Sequence, residues 1–162
     1  MRAIRPVGVL VLMAAAWPAL SRAELPEAFG AVDAKVVWVD FWASWCAPCR
    51  RSFPWMNEMH RKYASEGLEI IGVNVDKERG LADEFLAETP AEFRLHFDPT
   101  GSLAEAFALR AMPSSFVLDR NGNILASHYG FKLANTDEYE RAIREALTAA
   151  DGDARQASEQ QE

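Results

Sequence analysis

Apolar runs and apolar periods divide the chain into alternating strands and helices. Lys35 to Trp42 (KVVWVDFW) is β-branched, aromatic and almost wholly apolar, which predicts a strand buried on both faces, central in a partly parallel sheet. Its only acid is Asp40. Ala47 to Glu66 reads as a helix, because Phe53, Met56, Met59 and Tyr63 recur at three- and four-residue spacing. Pro54 lies inside it and predicts a kink, and Gly67 is its stop. Leu68 to Val75 (LEIIGVNV) is a second buried strand, so strand–helix–strand predicts a right-handed parallel crossover. Gly80 to Glu88 reads as a short helix and Phe93 to Phe97 as a short strand. A turn at Asp98–Gly101 follows, and Ser102 is expected to cap a helix reaching Leu109. Ser115–Asp119 and Ile124–Tyr129 are strands joined through Asn121-Gly122, a strong hairpin signal. A last helix starts at Asn135 or Thr136, with Tyr139, Ile143 and Leu147 four residues apart.

The two ends of the chain differ from this pattern. Arg2 and Arg5 precede an uncharged, mostly apolar run from Val7 to Leu20, and Ser21-Arg22-Ala23 puts small residues where a signal peptidase reads. That run is shorter than the roughly 20 residues of a spanning helix, and Pro18 interrupts it. Residues 1–23 are therefore expected to be a signal peptide, with an uncleaved membrane anchor as the alternative. Export makes the periplasm the expected location. From Asp151 the chain is polar (DGDARQASEQQE) and is expected to fray. One domain over 24–150, followed by a disordered tail over 151–162, is the organisation these signals imply.

The chain has 162 residues, 49% hydrophobic and 25% charged, which excludes collagen-like and disordered classes. Its net charge of −7 becomes −10 without residues 1–23, which hold three arginines and no acid. An acidic domain without a basic block fits neither nucleic acid nor an anionic membrane, so no nucleic acid partner is expected. Two cysteines cannot build a multi-bridge framework, and a bridge across so short a loop as Cys46–Cys49 removes little chain entropy. The pair points to chemistry rather than stapling.

Trp45-Cys46-Ala47-Pro48-Cys49 joins the end of a buried strand to the start of a helix. Unpaired amides and the helix dipole favour an anion there, so Cys46 should ionise readily and act as the nucleophile. Cys49, one turn further in, can attack a mixed disulfide at Cys46 and release the product. Cys46 is expected to be exposed and Cys49 largely buried. Pro48 falls in the first helical turn, where its missing N–H costs little, and is expected to contact substrate. Asp40 is a carboxylate in an apolar strand, and burial would raise its proton affinity. Behind the cysteine pair it could exchange the Cys49 proton. Trp45 is expected to shield the disulfide and meet partners, and Trp42 to belong to the core. His60, His96 and His128 are scattered and expected to be neither catalytic nor ligands. Arg50 and Arg51 either support the thiolate, meet acidic partners or form a solvated face.

The stretch VDFWASWCAPC (Val39–Cys49) resembles the active-site strand and turn of the thioredoxin superfamily. The resemblance takes in Pro54 and the segment MPSSFVLDRNG (Met112–Gly122), which is similar to that family's cis-proline loop and following hairpin. The export segment, the RSFP run after Cys49 and extra residues around 77–92 resemble the TlpA/ResA-like exported oxidoreductases. This implies an α/β, thioredoxin-like fold: a mixed central sheet flanked by helices, with a short insertion after the first βαβ unit. It implies that Met112–Pro113 is cis, that Pro113 faces the disulfide, and that Asp40 stands where thioredoxin has its buried aspartate; Met112, beside Pro113, either touches substrate or shields the sulfurs. A monomeric protein-disulfide reductase without cofactor or metal is implied. Its protein substrates would be of the apocytochrome c or copper-assembly kind, and its dithiol would be restored by a membrane donor of the CcdA/DsbD type. A DsbA-type oxidase or isomerase is one alternative. A Cu(I) chaperone using Cys46, Cys49 and Met112 is another, since soft ligands select that ion.

Overall fold

The computed structural model describes residues 26–160; the expected signal segment lies outside them. Among the described residues five strands form one sheet in the order β3-β2-β1-β4-β5. β1 (Val36–Trp42) is its centre, buried at every position as its apolar composition predicts. It pairs in parallel with β2 (Leu68–Asn74), and β2 with the short β3 (Arg94–Phe97). On its other side β1 pairs antiparallel with β4 (Ser114–Asp119), and β4 with β5 (Ile124–Tyr129). The mixed sheet is the thioredoxin-like arrangement that the sequence implied.

Alternation along β1 feeds two cores. Val36, Trp38 and Trp42 face a cluster built with α1 (Ala47–Tyr63), α2 (Arg79–Glu88) and α4 (Thr136–Glu159). Val37, Val39 and Phe41 face a smaller one with Phe29, Phe116 and Leu103 of α3 (Ser102–Ala106). Trp42, Phe53, Phe85 and Phe93 interlock with ring centroids 4.8–5.3 Å apart. Gly72, in the middle of β2, makes room for them: a Cβ there would stand 2.9 Å from Phe93 and 3.2 Å from the Trp42 indole. α2 occupies the extra residues expected between strands.

Three local expectations change. The α3 cap is Asp98, not Ser102: its carboxylate accepts from the amides of Ser102, Leu103 and Ala104 at 2.9–3.1 Å. A carboxylate reaches three amides where a hydroxyl reaches one. α3 also ends at Ala106, short of Leu109. The segment from Asp151, expected to be a disordered tail, continues α4 to Glu159. Its alanines, arginine and glutamines favour helix, and Asp151 is tied to Lys35 at 2.6 Å.

Candidate active site

Cys46 and Cys49 form a disulfide at the start of α1. Cys46 is the N-cap, and its Sγ accepts the Cys49 N–H at 3.2 Å. The helix dipole therefore acts on the sulfur that would carry negative charge after reduction. Pro48 lies in the first turn as expected. Cys49 is fully buried, but Cys46 is also only 2% exposed, against expectation. As N-cap it turns its sulfur inward over its own helix, bonded to Cys49 and facing the Cys49 amide. The exposed position falls instead to Trp45, at 68%.

The loop carrying Trp45 and Cys46 is anchored one residue earlier. Ser44 donates its backbone N–H and its hydroxyl to the Asp76 carboxylate at 2.8 and 2.9 Å, and Asn74 donates its amide to the same group at 2.8 Å. Asp76 follows β2, so this buried latch joins the ends of two neighbouring parallel strands. Sequence reasoning passed over it, although an acid closing the apolar run of β2 was a visible signal.

Asp40 is 1% exposed, on the same face of β1 as Trp38 and Trp42 and therefore on the cysteine side. Burial pushes its carboxyl up to about 7, against the pull of a 2.6 Å hydrogen bond from the Ser115 hydroxyl to Oδ1. Such a group is half ionised near neutrality and can both take and give a proton. Ser115 was not singled out from the sequence. It reads there as an ordinary first residue of a strand.

The Met112–Pro113 bond is cis. Phe41 pairs with Ser114, so this loop lies beside the end of β1 from which the cysteine loop departs. Pro113 accepts the Gly130 N–H at 2.7 Å, and Ser114 Oγ closes the loop on Ala111 at 2.7 Å. Met112 is half-buried and packs against the cluster that holds both cysteines. Arg50 is engaged elsewhere, bonded to Glu88 at 2.7 Å with its guanidinium over the Phe85 ring. Among the described residues no group of three or more His, Cys, Asp or Glu is placed to hold a metal ion, and no helix is long and apolar enough to cross a membrane.

A family model described as Redoxin matches residues 26–143. The thiol-disulfide oxidoreductase ResA of Bacillus thuringiensis subsp. konkukian is 31% identical over 91 residues, 56% of this chain and 53% of that protein. ResA of Geobacillus thermodenitrificans is 32% identical over 90 residues, 56% and 52% of the two chains. The chain thus spans about half the length of these curated relatives. A Chlorobium tepidum protein assigned as the thiol:disulfide interchange protein DsbE has a crystal structure that superposes with a TM-score of 0.69 at 48% identity, covering 71% of this chain and 82% of that one. StoA from Bacillus subtilis, at 20% identity and a TM-score of 0.60 over 68% and 84% of the chains, shares the fold. With its sheet order, its disulfide at the head of α1 and a family match over most of the described residues, the chain belongs to the Redoxin family and has a thioredoxin-like fold.

Proposed function

We propose that this protein is an exported thiol–disulfide oxidoreductase that acts as a reductase on proteins. The observation that carries this reading is the Cys46–Cys49 disulfide at a helix N-terminus, on the same side of the sheet as a buried carboxyl whose proton affinity is matched to neutral pH. In the reduced protein, Cys46 thiolate attacks a partner disulfide. A Cys46–partner bond forms, the partner's S–S bond breaks, and one partner sulfur leaves as thiolate and is protonated. Cys49 then gives its proton to Asp40 and attacks Cys46. The Cys46–Cys49 bond forms, the second partner sulfur leaves, and the partner has gained two electrons. The oxidised state seen here is the product of that cycle, and a membrane donor of the CcdA/DsbD type would return it to the dithiol. Trp45, Met112 and Pro113 form the face that meets substrate. The relatives named ResA and DsbE support the exchange chemistry, and the resemblance to exported oxidoreductases supports periplasmic substrates of the apocytochrome c or copper-assembly kind. The chain works as a monomer in this reading.

Cys49→Ser is expected to leave a lasting mixed disulfide on Cys46, identified by mass spectrometry. Trapping of the same partners by Cys46→Ser would reverse the assignment of nucleophile. A redox titration decides direction: a potential as oxidising as about −120 mV would make the protein an oxidase of the DsbA kind.

A further inference from the structure

The strand register sets Asp40 of β1, Ser115 of β4 and His128 of β5 in one row across the sheet. Directly paired residues point to the same face, so all three lie on the side covered by α1 and α4, the side of the cysteines. The row makes a single side-chain hydrogen bond, from Ser115 Oγ to Asp40 Oδ1 at 2.6 Å, and both residues are buried. Asp40 Oδ2 is buried without a hydrogen-bond partner among the described residues. A hydroxyl has one proton to donate. Oδ1 is therefore committed as an acceptor whether or not the carboxyl is ionised, and Oδ2 is the oxygen left to carry a proton.

We propose that Ser115 is a positioning residue for disulfide exchange: its hydroxyl holds Asp40 by Oδ1, and so makes Oδ2 the atom that takes the Cys49 proton and returns it. This rests on the exchange reading of the Cys46/Cys49 pair. Apolar residues dominate buried strand positions, and Ser115 is a hydroxyl at one of them, with Asp40 as its side-chain partner. Among the described residues, burial and the Ser115 hydroxyl are what act on the Asp40 carboxyl. β2 offers Gly72 opposite Asp40, and the head of α1 offers Cys49 and, at its N-cap, Cys46. Beyond Ser115 in the row, His128 stacks on Trp38 and meets Tyr139 of α4. Burial holds His128 below its usual range against the pull of Glu138.

Carbon-13 NMR of the Asp40 carboxyl in the oxidised full chain tests this, with Asp40→Asn identifying the resonance. Ser115→Ala removes the donor to the carboxylate and is expected to move the titration midpoint up by about one pH unit. Ser115→Thr and Ser115→Val have the same shape and differ in the hydroxyl. The threonine is expected to keep the parent midpoint and the valine to share the upward shift. An unmoved midpoint in Ser115→Ala, or one common to the threonine and valine variants, overturns the proposal. The acid limb of the single-turnover rate of mixed-disulfide release is expected to follow the midpoint. Insulin reduction by the parent protein is measured separately, so loss of the exchange reading is told apart from loss of the Ser115–Asp40 coupling.

Discussion

A carboxyl in the apolar interior of a central strand resists ionisation, because one hydroxyl does not replace the water its charge would bind. At Asp40 this raises the group to about 7, whereas an aspartate in an unfolded chain titrates at about 3.9. Between those values the folded chain keeps a proton that the unfolded chain has released. The group's contribution to stability is full below about pH 4, falls through that window and is lowest above pH 7. Asp40→Asn stays neutral and can still accept from Ser115. It is expected to exceed the parent's stability by about 2–4 kcal/mol at pH 8 and to match it near pH 4. Denaturant unfolding at the two pH values checks this, and a pH-independent difference would contradict it. The proposed proton exchange with Cys49 predicts that the same change slows mixed-disulfide release near neutrality. The unusual place of Asp40 was legible as the lone acid of KVVWVDFW. Its partner Ser115 was not, because small polar residues also begin ordinary strands.

At the scale of elements, the strands and the long helices follow from periodicity, while their ends depend on contacts made elsewhere. α3 is the clearest case. Asp98 closes the turn before it and accepts three of its first amides. Burial pushes that carboxyl up, but the Ala104 and Leu103 amides and the Ser102 hydroxyl outweigh it and hold it below the usual range. The cap therefore stabilises fully above about pH 4 and is lost as pH falls through the lowered value. Asp98→Ala is expected to cost about 1–2 kcal/mol in denaturant unfolding near pH 7, with Leu103 loosening from the smaller core. Ser102→Ala, the cap the sequence suggested, is expected to cost less. The sequence pattern could not rank the two, since both residues are good caps and only the turn geometry aims one at the amides.

Across the whole molecule, the sheet brings the ends of β1, β2 and β4 together, so that the cysteine loop, the Asp76 latch and the cis-proline loop share one end. The other end holds the start of β1 and the far part of α4. The apolar stripe of α4 runs through Tyr139, Ile143, Ala146 and Leu147 and stops there. Beyond it, α4 is joined to the sheet by the exposed Lys35–Asp151 pair, and such pairs add little. Removing residues 151–162 is therefore expected to leave the thermal midpoint and the Cys46/Cys49 potential at the parent's values. A large fall in either would show that the polar end of α4 belongs to the folding unit.

Local signals sufficed for the parallel β1–α1–β2 unit, the β4–β5 hairpin and the paired thiols at a helix head. Each arises from neighbours in the chain: a period of two or three to four residues, an Asn-Gly turn, a two-residue gap between cysteines. What only the tertiary structure decided depends on residues far apart. Ser44 meets Asp76 across 32 positions and Ser115 meets Asp40 across 75. The inward turn of Cys46 and the face on which Asp40 lies likewise come from how helix and sheet pack. Strand register sets these pairings, and register is the sum of every contact along the sheet, which no short stretch of sequence contains.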